Sequence, residues 1–253
     1  MTDSLGDRMK GYEKDFRTKL PDRFPVIMRV DGRAFHTWTR GCEKPFDETL
    51  IGAMNDCAIS LCKEIQGAQV AYVQSDEISI LIHGYKRFNS ETWFGNQVQK
   101  MCSVAAGITS VAMSFESMKM FGRYKVAHFD ARVFIVPESD VVNYFLWRQN
   151  DWTRNSVQML ARSLYSQKQL HGMRNPELQE MCFQKGKNWN NLSTYLKRGR
   201  CIVKETYNAE ISVDDTPVYV DHVLRTRWVV DNEIPVFSKD RDYIGQYLEL
   251  EEG

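Results

Sequence analysis

Hydrophobic and polar positions follow two different periods in the first part of the chain. The run PVIMRVDG at 25–32 is apolar and ends in Asp-Gly, which is typical of a buried strand that leads into a loop. Apolar residues then recur every three or four positions from Leu50 to Ile65, the spacing of an amphipathic helix. Asp47 stands just before this helix and is predicted to be its N-cap.

The same two periods continue through residue 137. Two β-rich arms at 68–84 surround the polar group 74–77, which predicts a hairpin with its turn at the acidic pair. Helical spacing from Thr92 to Met118 predicts a second amphipathic helix, and a further strand at 128–136 stops at a proline. The order strand, helix, strand, strand, helix, strand predicts an α+β fold with a ferredoxin-like βαββαβ core, in which both helices cover one face of an antiparallel sheet.

Helical patterns, a basic polar stretch and a β-rich tail follow this core. We expect residues 1–137 to form a catalytic core with a charged N-terminal arm, which runs to about Asp22. Residues 138–253 are expected to form a helical and β-rich extension packed on that core, because no repeat or flexible linker separates the two parts.

Composition narrows the possible functions. No apolar run approaches the ~20 residues of a membrane span, and the charged N-terminus lacks the apolar region of a secretory signal. The six cysteines are scattered, which favours a reduced cytoplasm and argues against a disulfide framework or a zinc site. The 33 basic and 33 acidic residues cancel, which disfavours a general nucleic-acid coat but leaves room for a local basic surface.

Acidic residues occur at the ends of two predicted neighbouring strands. Asp31 ends the first strand, and Asp76 and Glu77 lie at the hairpin tip. Because the first strand of a βαββ unit lies beside the third, these carboxylates can meet, and their repulsion is relieved by a cation such as Mg²⁺. Gly32 would allow the backbone to approach that cation or a phosphate closely. The alternative is an ordinary Asp-Gly turn and a solvated hairpin tip.

Five motifs, in this order, resemble those of the tRNA-histidine guanylyltransferase family. They are RVDGRAFH at 29–36, KPFD at 44–47, QSDE at 74–77, FDARV at 129–133 and WRQND at 147–151. The resemblance covers at least residues 25–165, and the segments 186–190 and 197–200 are similar to the bacterial or phage-type branch. It implies a polymerase-palm-like enzyme that uses two Mg²⁺ ions and GTP, ATP or another nucleoside triphosphate to extend the 5′ end of a tRNA in the 3′–5′ direction. A homotetramer is also implied.

The resemblance assigns roles to individual residues. Asp31, Asp76 and Glu77 would be catalytic, and the metal ligands would be Asp31, Asp76 and the Gly32 carbonyl. The backbone from Gly32 to His36 would hold the triphosphate. The residues expected to bind nucleotide are Arg29, Asp31, Gly32, Arg33, Ala34, Phe35, His36, Lys44, Ser75, Asp76 and Lys100. For Lys44, Lys100 and His36, ordinary surface or structural roles remain open, and Arg148 with Asp151 is expected to be a structural ion pair.

One segment departs from the family pattern. The eukaryotic HINNLYN motif corresponds here to 153–159, where Thr153 replaces the histidine and only Asn155 is kept from the polar core. Because that histidine is tied to 5′ activation and untemplated guanosine addition, its loss favours templated repair of truncated tRNA over guanylylation of tRNA-His.

The remaining basic residues suggest an RNA contact. Lys185, Lys187, Lys197, Arg198 and Arg200 are interleaved with aromatic residues and are expected to grip tRNA, although a solvated charged face is the common alternative. Two other functions also remain open. One is a palm-fold nucleotide cyclase or other nucleotidyltransferase without RNA, and the other is a non-catalytic tRNA-end-binding module.

Overall fold

The computed structural model describes residues 4–84, 91–208, 211–213, 216–218 and 224–249. Its elements, in chain order, are α1 (Leu5–Asp15), β1 (Val26–Gly32), α2 (Phe35–Trp38), α3 (Glu48–Glu64), β2 (Ala68–Gln74), β3 (Glu77–Ile82), α4 (Val98–Phe121), β4 (Phe129–Ile135), α5 (Glu138–Leu164), α6 (Gln167–Leu170), α7 (Asn175–Gln184), α8 (Thr194–Arg198), β5 (Arg200–Asn208), β6 (Ile211–Val213), β7 (Thr216–Val218), β8 (Leu224–Asp231) and α9 (Asp242–Gly245). Within the described ranges, every helix is too short or too polar to cross a bilayer.

A six-stranded antiparallel sheet organises the molecule. Its strand order is β4-β1-β3-β2-β5-β8, and β6 and β7 form a separate two-stranded sheet. The first four strands have the order of a ferredoxin-like βαββαβ unit, so the predicted α+β core is confirmed. The strands β5 and β8 extend the sheet beyond β2, the strand that would otherwise be its edge.

Helices α3 and α4 cover one face of this sheet. Successive side chains of a strand point to opposite faces, so Met28 and Val30 of β1 lie on the same face as Ile78 and Ile80 of β3. These four side chains are fully buried in the same cluster as the inner residues of α3 and α4. The side chain of Asp47 accepts a hydrogen bond from the Leu50 amide (2.9 Å), which confirms the predicted N-cap of α3.

The opposite face of the sheet is covered by the long helix α5. Ile27, Tyr72 and Leu81 are fully buried there in a cluster that includes Val141 and Phe145 of α5. Each such side chain contributes roughly 1.5–3 kcal/mol relative to an exposed position. As a result, the sheet has helices on both faces, and the C-terminal half of α5 reaches the edge at which β1 and the β2–β3 hairpin end.

The predicted start of the second helix at Thr92 is wrong, because α4 begins at Val98. Residues Trp93–Asn96 form a short 3-10 turn in which Phe94 has φ 51° and Asn96 has φ 58°. The backbone here bonds with the N-terminal segment of the chain. The amide of Leu20 donates to the Asn96 carbonyl (3.0 Å), and the Val98 amide donates to the carbonyl of Thr18 (3.0 Å).

Candidate active site

Two carboxylates meet a glycine at one edge of the sheet. Asp31, near the end of β1, lies opposite Glu77 of β3 and Asp130 of β4. Asp76 occupies the two-residue turn that joins β2 to β3, and its backbone carbonyl accepts a hydrogen bond from the Gly32 amide (3.2 Å). The pairing of β1 with β3 therefore brings together the acidic residues that are separated in sequence.

Gly32 is in close contact with its neighbours. A Cβ atom at this position would lie 2.9 Å from Oδ2 of Asp76 and 2.4 Å from a ring carbon of Phe35. Any larger residue would displace both groups, so the backbone of β1 can approach the Asp76 carboxylate this closely only because position 32 has no side chain.

The electrostatics of these carboxylates favour a cation. Burial raises the pKa of Asp76 to about 6, with further increases from the charges of Asp31 and Glu77 and an opposing hydrogen bond from Ser75. Burial also raises the pKa of Asp31, as do the charges of Glu77 and Asp130. The charged form of each carboxyl group is therefore less stable than in water, and a bound cation would offset that cost.

The donor set fits magnesium. Asp31, Asp76 and the Gly32 carbonyl offer hard oxygen ligands, and Mg²⁺ commonly takes one or two carboxylates plus waters and phosphate oxygens. In the described part of the chain, no group of three or more His, Cys, Asp or Glu side chains is arranged to hold a metal. An ion held by these oxygens would therefore complete its coordination from water and substrate.

Glu77 has a different role from the other two carboxylates. Its two oxygens accept hydrogen bonds from Nε and Nη2 of Arg148 (both 2.7 Å), and Gln74 and Ser79 also donate to it. Glu77 and Arg148 are both buried. Arg148 also pairs with Asp151 (3.1 Å), which confirms the predicted ion pair. The Glu77 carboxylate thus joins the hairpin to α5.

A cavity of about 350 Å³ opens beside Asp76. Its wall combines the loop before α3, the first turns of α3, the β2–β3 turn, α5 and the segment from α8 to β5. The lining residues are Phe35, His36, Thr39, Cys42, Glu43, Lys44, Pro45, Phe46, Asp47, Leu50, Ile51, Ser75, Asp76, Trp152, Met159, Arg162, Tyr195, Leu196 and Arg200. The mixture of aromatic and aliphatic walls with a few polar groups is typical of a small-molecule site.

Comparison with known proteins identifies the family. The family model described as "Thg1: tRNAHis guanylyltransferase" matches residues 6–137. A bacterial tRNA(His) guanylyltransferase (Thg1)-like protein in complex with ATP shares 41% identity over 98% of this chain and 100% of its own, with a TM-score of 0.87. The chain belongs to the tRNA(His) guanylyltransferase family. Family membership places it among the nucleotidyltransferases and confirms the resemblance seen in the sequence.

Further similar proteins cover a range of identities. A GTP complex of a bacterial Thg1-like protein has 40% identity and a TM-score of 0.80, with 98% of this chain and 100% of that chain covered. The enzyme from Saccharomyces cerevisiae has 23% identity and a TM-score of 0.65 over 84% of this chain and 96% of its own. This comparison shows that the two proteins have a similar fold. The tRNA(His) guanylyltransferase 1 of Arabidopsis thaliana is 26% identical over 92% of this chain, which spans only 43% of that relative.

Five of the residues predicted to bind nucleotide meet at the cavity. They are Phe35, His36, Lys44, Ser75 and Asp76. Arg29 is not among the lining residues but lies near Asp31, and its charge opposes the rise in the pKa of that carboxyl group. In the described chain, its buried Nε has no hydrogen-bond partner. Lys100 is apart from the cavity, with its ammonium 4.6 Å from the centre of the Phe94 ring.

Two amides of the backbone predicted to hold a triphosphate already donate hydrogen bonds within the protein. The amide of Gly32 donates to Asp76, and the amide of Arg33 donates to the carbonyl of His128 (2.8 Å). Ala34 takes the left-handed conformation with φ 51°, which turns the chain from β1 into α2. A triphosphate bound to this loop would therefore use the backbone of 34–36.

The predicted tRNA-binding residues differ in how far they are exposed. Lys185 and Lys187 are exposed, whereas the Lys197 ammonium donates to the Asn190 carbonyl (2.6 Å) and Arg198 donates to the Ile234 carbonyl (3.2 Å). Arg200 is only 1% exposed and lines the cavity, so its placement on an exposed tRNA-binding surface is corrected. Its strand position in the sheet, opposite Val73, explains this burial.

The sequence did not predict the part of the cavity wall that α5 and α8 supply. Trp152, Met159 and Arg162 come from α5, and Leu196 comes from α8. All of them lie far along the chain from the acidic motifs, and no local pattern linked them to the site. Trp152 directly follows the WRQND motif at 147–151, but no motif includes it.

Proposed function

We propose that this chain adds nucleotides to the 5′ end of a tRNA in the 3′–5′ direction, opposite a template base, by Mg²⁺-dependent nucleotidyl transfer. The observation that carries the proposal is that Asp31, Asp76 and the Gly32 backbone lie close together, and that Asp76 also lines a cavity that suits a nucleobase. The bacterial relatives solved with ATP and GTP, at 41% and 40% identity, support nucleoside triphosphates as substrates.

The arrangement suits a reaction that depends on positioning and charge. In the proposed reaction, the 3′-hydroxyl of the incoming nucleotide attacks the 5′ α-phosphorus of the tRNA, and pyrophosphate or AMP leaves. Asp31 and Asp76 would hold two Mg²⁺ ions, which when bound neutralise charge on the phosphates. The cavity would hold the base, and Ser75 and Lys44 at its wall lie where they can donate to ribose or phosphate oxygens.

The segment that departs from the family pattern supports templated addition. Thr153 stands where eukaryotic members carry histidine, and its hydroxyl donates to the Lys197 carbonyl (3.3 Å). A threonine hydroxyl does not titrate near neutral pH, so it cannot replace an imidazole in proton transfer. Selection by base pairing requires no such group.

Exposed lysines support an RNA partner. Lys185 and Lys187 lie just after α7, and Lys185 is also near the ring of Tyr165 (5.7 Å). Lysines on a surface can neutralise RNA phosphates with release of counterions. The six cysteines are unpaired thiols, which supports a reducing compartment, the cytoplasm, as the location of this reaction.

A homotetramer is part of the proposal, and α4 supports it. The outer face of α4 exposes Val111, Phe115 and Met118 at 57%, 67% and 51% of their surface. Their spacing of four and three residues forms a continuous apolar stripe, although the other side of α4 already packs in the core. A helix that is apolar on both sides is expected to be buried on both sides, here against a second copy of the chain.

A 5′-extension assay tests the proposed function. The protein is incubated with Mg²⁺, labelled nucleotides and a tRNA that lacks its first nucleotide, and the base opposite the missing position is varied. We expect the added nucleotide to follow the template base. Asp31→Ala and Asp76→Ala should abolish extension and leave tRNA affinity largely intact, whereas Asp56→Ala, an exposed carboxylate on α3, should extend normally.

Three results would contradict the proposal. Formation of a cyclic nucleotide without RNA extension would show a cyclase. Addition of guanosine whatever the template base would show untemplated transfer. Unchanged extension by the Asp31 and Asp76 variants would remove these residues from catalysis.

A further inference from the structure

A short segment of backbone, residues 125–129, is fixed on α4 by three serine hydroxyls. The serines lie three and four residues apart, so they share one face of the helix. The amides of alternate residues of the segment each donate to one hydroxyl, in the pairs Lys125 with Ser117 (2.8 Å), Ala127 with Ser114 (2.9 Å) and Phe129 with Ser110 (3.0 Å). The segment that leads from α4 into β4 is therefore held in place along its length.

The residues between these three turn their carbonyls to the other side, where residues 32–38 lie. We term residues 32–38 the site loop, because they lead from the carboxylate cluster through α2. The amide of Arg33 donates to the His128 carbonyl (2.8 Å), and Nε1 of Trp38 donates to the Val126 carbonyl (3.0 Å). The fixed segment thus bonds the site loop near its start and at its end.

Lys125 makes a third bond between the two segments. Its ammonium donates to the carbonyl of Trp38, the last residue of α2, where a helix carbonyl has no partner within the helix. The ammonium also lies over two aromatic rings, 5.2 Å from the centre of the Trp38 ring and 4.6 Å from that of Phe121. A cation at such a distance is attracted to an aromatic face. Lys125 therefore binds both the backbone and the ring of Trp38.

The ring of Trp38 connects this contact with the carboxylates. Trp38 is buried and stacks on Phe35, with ring centroids 4.9 Å apart. The Phe35 ring lies against Gly32, where a Cβ would be 2.4 Å from it and 2.9 Å from the Asp76 carboxylate. Because protein interiors are close-packed, a shift of Trp38 would displace Phe35 and the Gly32 backbone beside Asp76.

We propose that Lys125 is a positioning residue for substrate binding, which acts through Trp38 and Phe35. It holds the site loop in the shape that binds a triphosphate with Mg²⁺, although it is not among the lining residues of the cavity. This inference rests on the proposed function, because it assumes that the site loop holds the phosphates of a nucleotide. The expected effect concerns the phosphates, so it is equal for GTP and ATP and smaller for a nucleoside monophosphate.

Equilibrium binding to the intact protein tests the role of Lys125. Calorimetric titrations with GTP, ATP and GMP are made in Mg²⁺ buffer on the unaltered protein and on Lys125→Met, in which the ammonium is lost and an unbranched side chain remains. We expect GTP and ATP to bind about tenfold more weakly to the variant, and GMP less than about threefold more weakly. Unchanged GTP affinity, or an equal loss for GTP and GMP, would overturn the proposal.

Arg123→Met is the matched control. Arg123 is an exposed cation two residues before Lys125, and its backbone carbonyl, not its side chain, accepts a hydrogen bond from Ser117 (3.4 Å). Its replacement changes the net charge by the same amount, so any general attraction between the protein and a triphosphate weakens equally. We expect all three affinities to be unchanged in Arg123→Met. An equal loss in both variants would show an effect of net charge and refute the positioning role.

Two conservative variants separate positioning from a general loss of structure. Lys125→Arg keeps a donor and a cation over the rings, so it should bind GTP within about threefold of the unaltered protein. An affinity as low as that of Lys125→Met would contradict the proposed contacts. Trp38→Phe keeps a ring against Phe35 but loses the N–H that bonds to Val126, and should show the same selective loss for triphosphates. If thermal melting shows that Lys125→Met does not fold, Trp38→Phe decides the question, and unchanged GTP binding to it would refute the role.

The same proteins in the 5′-extension assay separate this role from the proposed function. If the unaltered protein binds triphosphates but extends no tRNA, the proposed function fails, and a selective loss in Lys125→Met still supports the positioning role. If the unaltered protein extends tRNA and Lys125→Met binds GTP equally well, the positioning role fails and the proposed function stands.

Discussion

The charge state of Asp76 gives a prediction that does not depend on catalysis. Its pKa is raised from 3.8 to about 6, mainly by burial. Between pH 3.8 and about 6, Asp76 is therefore protonated in the folded protein and ionised in the unfolded chain. Protonation therefore favours folding, and stability falls as pH rises from about 4 to about 6 and stays low above it. At neutral pH the ionised Asp76 destabilises the metal-free fold.

The magnitude follows from the shift. About two pKa units at about 1.4 kcal/mol each set an upper limit near 3 kcal/mol. Because Asp76 is partly exposed, solvent screening reduces this to about 1–2 kcal/mol. Asp76→Asn keeps the size of the side chain and removes its charge. We expect this variant to be more stable than the unaltered protein by that amount at about pH 7.5, and of equal stability at about pH 4.

Urea denaturation in EDTA measures this difference at both pH values. The control is Asp56→Asn, an exposed position in the middle of α3, which should change stability by less than about 0.5 kcal/mol. The titrations are then repeated with saturating Mg²⁺. A bound ion stabilises the fold in proportion to its affinity, so the unaltered protein should gain stability and Asp76→Asn should gain much less.

Two outcomes would refute the reasoning. If Asp76→Asn is less stable than the unaltered protein in EDTA at neutral pH, the carboxylate is held by favourable contacts and not by a cation site. If Mg²⁺ stabilises the variant and the unaltered protein equally, the ion binds somewhere else.

Three further predictions concern other parts of the molecule. Arg148→Met should lower the free energy of unfolding, measured by chemical denaturation, by about 3–5 kcal/mol, because it leaves Glu77 buried without its partner. Adding Glu77→Gln to this variant should recover part of the loss. If nothing is recovered, the two residues do not stabilise the fold as a pair. Lys185→Met should weaken tRNA binding and leave nucleotide affinity unchanged. A plot of the logarithm of the tRNA binding constant against the logarithm of salt concentration should become less steep by about one unit. An unaltered slope would exclude a phosphate contact. Phe115→Glu should reduce the molar mass of the assembly measured by light scattering. Met173→Glu, which changes another exposed apolar side chain, should leave that mass unchanged. Equal masses for the two variants would show that α4 is not part of the interface.

The sequence predicted that Asp31 lies beside the β2–β3 hairpin, because the order of strands and helices sets that placement. Alternating and helical periods located β1, α3 and the β2–β3 hairpin, and the βαββ order alone placed Asp31 beside the hairpin. The residues of the RVDG and QSDE motifs reach the same edge through backbone pairing, which does not depend on the details of side-chain packing.

The parts that could not be predicted depend on tertiary contacts. Glu77 was predicted to be catalytic as part of the acidic cluster, but the sequence did not predict that Arg148 from a distant helix binds both of its oxygens. Arg200 belonged to a run of basic residues that is typical of a solvated surface. Only the pairing of β5 with β2 shows that the run ends inside the protein.

The position of Arg200 follows from a close contact one residue earlier. Gly199 has φ 78°, and a Cβ there would lie 2.6 Å from the hydroxyl oxygen of Tyr72. That hydroxyl donates to the carbonyl of Arg198 (2.7 Å), so the chain is fixed against β2 where it turns from α8 into β5. The next residue then enters the sheet opposite Val73, three positions before Asp76. The same strand that covers the edge of β2 therefore places Arg200 in the cavity wall, and the extension completes a cavity that the core alone would leave open.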